Sequence, residues 1–187
     1  MDRTLLDRLI SAVGAVIGVV LLAAAALLFF AHGYVHGQVH DQLAEQSITF
    51  PAKDSDGLKA LPEADRKEVA KYAGESLTTG AQAEVFADHY IKVHLSEVAD
   101  GQTYSEVSTK SLAAPDDAAL AGQVQTLFRG ETLRGLLLNA YAFDTMATVA
   151  LIAAWISVVA GVVLLALAAL GLWHARRITP LIGPGAA

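Results

Sequence analysis

From Leu9 to Ala31 the chain runs 23 residues without a charge. An α-helix over this run is roughly 34 Å long at about 1.5 Å per residue, enough to cross a hydrocarbon core of about 30 Å. It feeds, with no helix breaker, into the stripe His32, His36, His40. A second uncharged run, Met146 to Trp173, would make about 42 Å of helix, so it must tilt or project beyond the bilayer. Two membrane spans are expected. The first should be retained rather than cleaved as a secretory signal. Its apolar run exceeds the usual ~7–15 residues, and Phe29 stands where a small residue should precede a cut after Ala31.

Between the spans the composition inverts. Residues His32 to Ala140 carry 9 Lys or Arg against 16 Asp or Glu, a net of −7 in a chain whose total is −6. An acidic surface of this kind argues against nucleic acid and against lying flat on anionic lipid, both of which select basic patches. The chain contains no cysteine. This excludes disulfides, thiolate metal sites, a cysteine nucleophile and an iron–sulfur cluster. The outer segment must therefore fold by packing alone, and it is long enough to own a core.

Orientation follows from the flanks. Arg3 and Arg8 precede the first span and Arg176 and Arg177 follow the second, whereas residues 32–52 contain no Lys or Arg. Both termini are expected to be cytoplasmic. The predicted division is a lead-in over 1–8, a first span over 9–31, an extracytoplasmic helical domain over 32–142, a second span over 143–173 and a tail over 174–187 that reads as disordered from Ile178. The fold class expected is an all-α membrane protein, two transmembrane helices extended outward into a small helical bundle.

Within the spans, Gly14 and Gly18 form a GxxxG, and Ala153, Ser157 and Gly161 repeat the small-xxx-small spacing. Pairing of the two spans with each other, or of two copies through the glycines, would use them. Beyond Ala31, Val35, Val39 and Leu43 keep the i, i+4, i+8 spacing of one apolar helix face until Pro51 and the following Asp54–Gly57 turn residues. Pro62, with Glu63 and Asp65, opens a second helix buried through Val69, Tyr72, Ala73 and Leu77. Thr79 and Gln82 have capping-box spacing for a third, from Gly80 to about Ala99, whose apolar residues cover more than one stripe and mark it as central. Asp100-Gly101 stops it, and Thr103 with Glu106 caps a fourth. Pro115, Asp116 and Asp117 open a fifth, with Leu120, Val124, Leu127 and Phe128 on one face before Gly130. From Thr132 the pattern Leu133, Leu136, Leu137, Ala140, Tyr141 leads into the second span.

The stripe is the strongest chemical feature. Imidazoles at i and i+4 share a helix face and can grip one Zn²⁺ or Cu²⁺, so His36, His40 and His32 are the candidate metal ligands. All three cannot hold one ion, because the outer pair lies roughly 12 Å apart along the axis. Asp88, His89, His94 and Glu97 are the other available donors. The competing readings are interfacial anchors, with apolar bodies and polar tips, and a pH-responsive stripe. His89 and His94, five apart, should not face each other: one is expected in the outer core with a hydrogen-bond partner and the other solvated. Asp144 opens the second span, where a carboxylate is a functional candidate by default, softened here by a position near the headgroups. Arg129 and Arg134 fall just outside the membrane. Glu131 and Arg134 have i, i+3 spacing for a local pair, and the arginines could bind lipid phosphate or a partner's carboxylate.

The run from Leu127 to Tyr141, with Arg129, Gly130, Glu131, Arg134 and Gly135, and the earlier run Gly101 to Ser108 resemble a group of small two-span membrane proteins of high-GC Gram-positive bacteria. The resemblance covers about residues 32–141 and both spans. It implies the two-span architecture and no particular activity. Members are often named as aromatic ring-opening dioxygenases, but such iron enzymes need two His and a carboxylate in a buried set, which no stretch of this chain resembles. No nucleophile elbow, phosphate-binding glycine loop or HExxH occurs. The expectation is a non-catalytic accessory, interaction or sensor-like protein of a cell-envelope membrane complex. It would have membrane lipid and a membrane-protein partner or a second copy as its contacts. The alternative is an extracytoplasmic metal or small-ligand binder using the stripe, with zinc or copper as the cofactor; otherwise none is implied.

Overall fold

A computed structural model describes residues 3–178. The proposed disordered tail lies almost wholly outside the described residues. The described chain is helical, with α1 (Arg3–Glu45), α2 (Asp56–Lys59), α3 (Glu63–Ala70), α4 (Gly80–Val85), a π-helical segment (Phe86–Ile91), α5 (Lys92–Val98), α6 (Tyr104–Ala113) and α7 (Ala118–Ile178). Among the described residues the only extended pairing is a single antiparallel bridge, Thr49 with Ser76. Two helices are long and apolar enough to cross a membrane, over Leu5–Glu45 and Ala118–Arg177, with peak mean hydropathy of 2.8 and 2.7.

The chain divides into two compact units, one formed by residues up to Tyr34 and from Ala147 onward, the other by Val35–Met146. In the first unit α1 and α7 run antiparallel and meet through small residues. The oxygen of Gly18 lies 3.0 Å from where a Cβ on Gly161 would stand, and the Gly161 oxygen is equally close to a Cβ on Gly18. Gly171 faces Ser11 and Gly14 faces Ala168. The buried positions on α7 are Ala147, Ala154, Gly161, Ala168 and Ala175, and on α1 Ser11, Gly18 and Ala25. Both sets recur every seven residues, the period of left-handed coiled-coil packing rather than of a GxxxG pair. Gly14, Gly18 and Gly161 are thus used within the chain, while Ala153 and Ser157 sit beside the seam and are only half-buried. Phe29 closes edge-on against Trp155 with ring centroids 5.3 Å apart.

The second unit has its own core. Val39 and Leu43 of α1 join Leu58, Leu61, Val69, Leu77, Phe86, Ile91, Leu95, Val107, Leu127 and Leu137 in one buried cluster. Phe50 fills its centre, packed on Phe86 and Tyr72 at centroid distances of 5.2 and 5.3 Å. The segment after α1 is pinned to the segment before α4 by Phe50 N–H to the Glu75 oxygen (2.9 Å) and Leu77 N–H to the Ile48 oxygen (2.8 Å).

Local signals hold where the chemistry is local. Thr79 and Gln82 form the reciprocal capping box, as do Thr103 and Glu106. Pro62 precedes α3, with Glu63 and Asp65 in its first turn. Asp100 and Gly101 adopt φ of 51° and 77°, and Gly101 N–H donates to the Ser96 oxygen at 2.7 Å, closing the end of α5.

Three expectations need correction. α7 does not pause at Gly130. Asp117 caps it, accepting from the N–H groups of Ala119 and Leu120, and it then runs unbroken to Ile178. Gly130 is there for approach: a Cβ would stand 2.3 Å from Leu95 Cδ2. Phe128 and Leu136 are exposed at 54% and 61%, because the buried line of α7 passes through Leu127 and Leu137. The third helix is interrupted by the π-helical segment, which no apolar period announces.

Gly130→Ala should therefore lower stability by about 1–3 kcal/mol through overpacking against Leu95. Gly135→Ala, where a Cβ meets nothing within 4 Å, should raise it by about 0.5–1 kcal/mol through helix propensity. Thermal unfolding of the two variants in one detergent checks the opposite signs. The Glu106 carboxyl is held below its ordinary pKa by the Thr103 backbone N–H and hydroxyl it accepts from. A lowered folded pKa gives stability that is full above the unfolded pKa and is lost as pH falls through the folded one. The melting-temperature difference between the natural protein and Glu106→Gln should accordingly shrink on acidification below about pH 4.3, the ordinary carboxyl value.

Candidate functional site

The residues that could carry chemistry gather in the Val35–Met146 unit at two places. The first is Asp144. His36 donates its Nδ1–H to Asp144 Oδ1 at 2.7 Å, and Asp144 is the less exposed of the pair, at 18% against 53%. The same carboxylate lies against the start of α4, where a Cβ on Gly80 would be 2.4 Å from Asp144 Cβ and 2.7 Å from its Oδ2. Glycine is required at 80 by this approach. Asp144 thus touches α1 through His36 and the first turn of the central helix through Gly80.

The other stripe residues turn to different acceptors. His32 donates Nδ1–H to the Ala147 oxygen at 2.9 Å, and His40 donates to Asp41 at 3.1 Å. An acceptor-only partner fixes the proton on Nδ1 in all three rings, leaving Nε2 as the atom a metal would have to use. Three separate acceptors hold the three rings. Among the described residues no group of three or more His, Asp or Glu is gathered to hold a metal ion.

The second place is the π-helical segment. Consecutive residues there reach opposite partners: Asp88 accepts from Arg134 Nη2 at 2.6 Å and Nε at 3.1 Å, while His89 donates Nδ1–H to Asp65 at 2.8 Å. π segments recur at functional sites. Beside them opens a cleft of about 500 Å³ lined by Asp65, Glu84, Asp88, His89, Lys92 and Ser96 among others.

Arg134 therefore has an internal partner that spacing did not disclose. Its predicted link to Glu131 exists at 3.3 Å, but the shorter bonds go to Asp88, 46 residues away. The carboxylate of Asp88, foremost as hydrogen-bond acceptor, raises the pKa of Arg134 further above its ordinary value. Arg129 remains exposed on α7, with the Gln125 amide oxygen, once turned, 2.9 Å from its Nε. His94 is half-buried and donates Nδ1–H to the Tyr90 oxygen at 2.8 Å, so neither it nor His89 is the solvated one of the expected pair.

No protein-family model, curated protein or solved structure matches the chain.

Arg134→Ala and Asp88→Ala should each destabilise the protein by about 1.5–3 kcal/mol, as loss of charge-assisted hydrogen bonds does. Because the two groups share those bonds, the double variant should cost less than the sum. A double-mutant cycle by thermal or chemical unfolding measures the coupling, and additive losses would show that the pair contributes nothing as a pair.

Proposed function

We propose that the chain is a two-span membrane protein whose Val35–Met146 unit lies outside the cytoplasm. It would serve, without catalysis of its own, as an accessory or sensor-like component of an envelope membrane complex. The contact set of Asp144 carries this reading. One carboxylate on α7, two residues before the apolar run, joins His36 of α1 to Gly80 at the head of the helix that builds the outer core. A shift in that central helix would bear on Asp144 and, through it, on His36. Such a shift acts only by changing relative affinities of two states for a partner, which here would be another membrane protein. The arginine flanks, Arg3 and Arg8 before the first run and Arg176 and Arg177 after the second, support both termini in the cytoplasm.

The competing reading, a metal or small ligand held by His32, His36 and His40, has less support, since the rings serve three separate acceptors.

The test is purification of the full chain from native membranes in mild detergent. A stoichiometric membrane-protein partner is expected, with recovery falling several-fold in Asp144→Asn; a chain that purifies alone, or carrying zinc or copper, overturns the reading. The natural chain lacks cysteine, so Ser105→Cys should be labelled in intact cells by a membrane-impermeant maleimide if the unit lies outside.

A further inference from the structure

The Val35–Met146 unit has a second opening, a groove of about 290 Å³ formed by α1 and α7. Its apolar walls are Val39 and Leu43 on α1 and Leu133, Leu136, Leu137, Ala140 and Phe143 on α7, and its polar edge is the amides of Gln42, Gln46 and Asn139. None of these carries a charge. That is an exception in a segment with 25 charged residues between His32 and Ala140. Leu136 and Phe143 stand 61% and 55% exposed, and Met146, where the uncharged run begins, is 65% exposed. Leu133, Leu136, Ala140, Phe143 and Met146 follow one another at steps of three and four, so a single open apolar face leads along α7 from that run into the groove.

We infer that this groove holds one acyl chain of a phospholipid from the adjoining leaflet. The inference rests on the membrane reading above. Continuity with the membrane-facing surface names the occupant: a hydrocarbon chain can follow the Met146–Phe143 face without crossing a charged residue. The groove removes exposed Leu and Phe surface from water, the ordinary hydrophobic gain. Leu133 precedes Met146, where the uncharged run begins, by 13 residues, about 20 Å of helix.

That distance makes the test specific. The chain has two tryptophans, Trp155 and Trp173. In one protein Trp173→Phe leaves Trp155 alone; in another, Trp155→Phe and Trp173→Phe with Leu133→Trp place the sole indole at the groove's top. Both full-length chains are reconstituted into vesicles of phosphatidylcholine with brominated acyl chains. Quenching is expected for both, and Leu136→Glu, an exposed position, should abolish it at position 133 while leaving Trp155 quenched. Ala140→Phe, which fills the groove without a charge, should act likewise. Quenching of Trp155 with none at position 133 overturns the groove assignment and leaves the membrane reading standing. Quenching at 133 that survives both blocking substitutions also overturns it, because the helix itself would then touch the bilayer. If Trp155 is not quenched, the membrane reading fails and the inference with it.

Discussion

Two long helices can approach to backbone contact only where their facing residues are nearly without side chains. In the unit formed by residues up to Tyr34 and from Ala147 onward, this is met by Ser11, Gly18 and Ala25 against Ala147, Ala154, Gly161, Ala168 and Ala175. In the membrane reading proposed above, no hydrophobic drive brings helices together, so close packing would supply the association. Small residues every seven positions give that packing over the whole seam. The large residues, Leu, Val, Ile and Trp, are left facing outward.

In the Val35–Met146 unit the same two helices carry Val39, Leu43, Leu127 and Leu137 instead, and a globular core forms on them. Size at the contact positions is what changes the mode of packing along one continuous helix. Larger side chains hold room for the aromatic cluster of Phe50, Tyr72, Phe86 and Tyr90, and they also line the uncharged groove. Asp144 stands at the end of this unit. A short polar residue there accepts from His36 and lets Gly80 come close, so α1, α7 and the first turn of α4 meet at a single carboxylate.

The polar constellations divide by range. Capping boxes, the Asp100-Gly101 stop and the Pro62 start were legible because each is settled within four residues. Glu131 with Arg134 was legible for the same reason. Asp88 with Arg134 and Asp65 with His89 were not, since they join residues 46 and 24 apart, from a π-helical segment that no apolar period announces. The stripe of His32, His36 and His40 shows the converse. Its i, i+4 spacing suggests that neighbouring rings share a ligand, yet the acceptors present around it differ at every ring.

Residue type and spacing set the two apolar helices, the acidic helical segment between them, the absence of cysteine chemistry and the capped helix starts, though not the end of α3, which stops at Ala70 short of Tyr72 and Leu77. These follow from residue type and from spacing of seven positions or fewer, which the chain carries without reference to its fold. Only the tertiary structure decided that α7 runs through Gly130, that the seam repeats every seven residues, and that Asp144 meets both His36 and Gly80. Each of those depends on which surface arrives opposite: Leu95 against Gly130, α1 against Ala154, the first turn of α4 against Asp144. A residue's neighbours along the chain do not encode the shape of what packs on it from a hundred residues away.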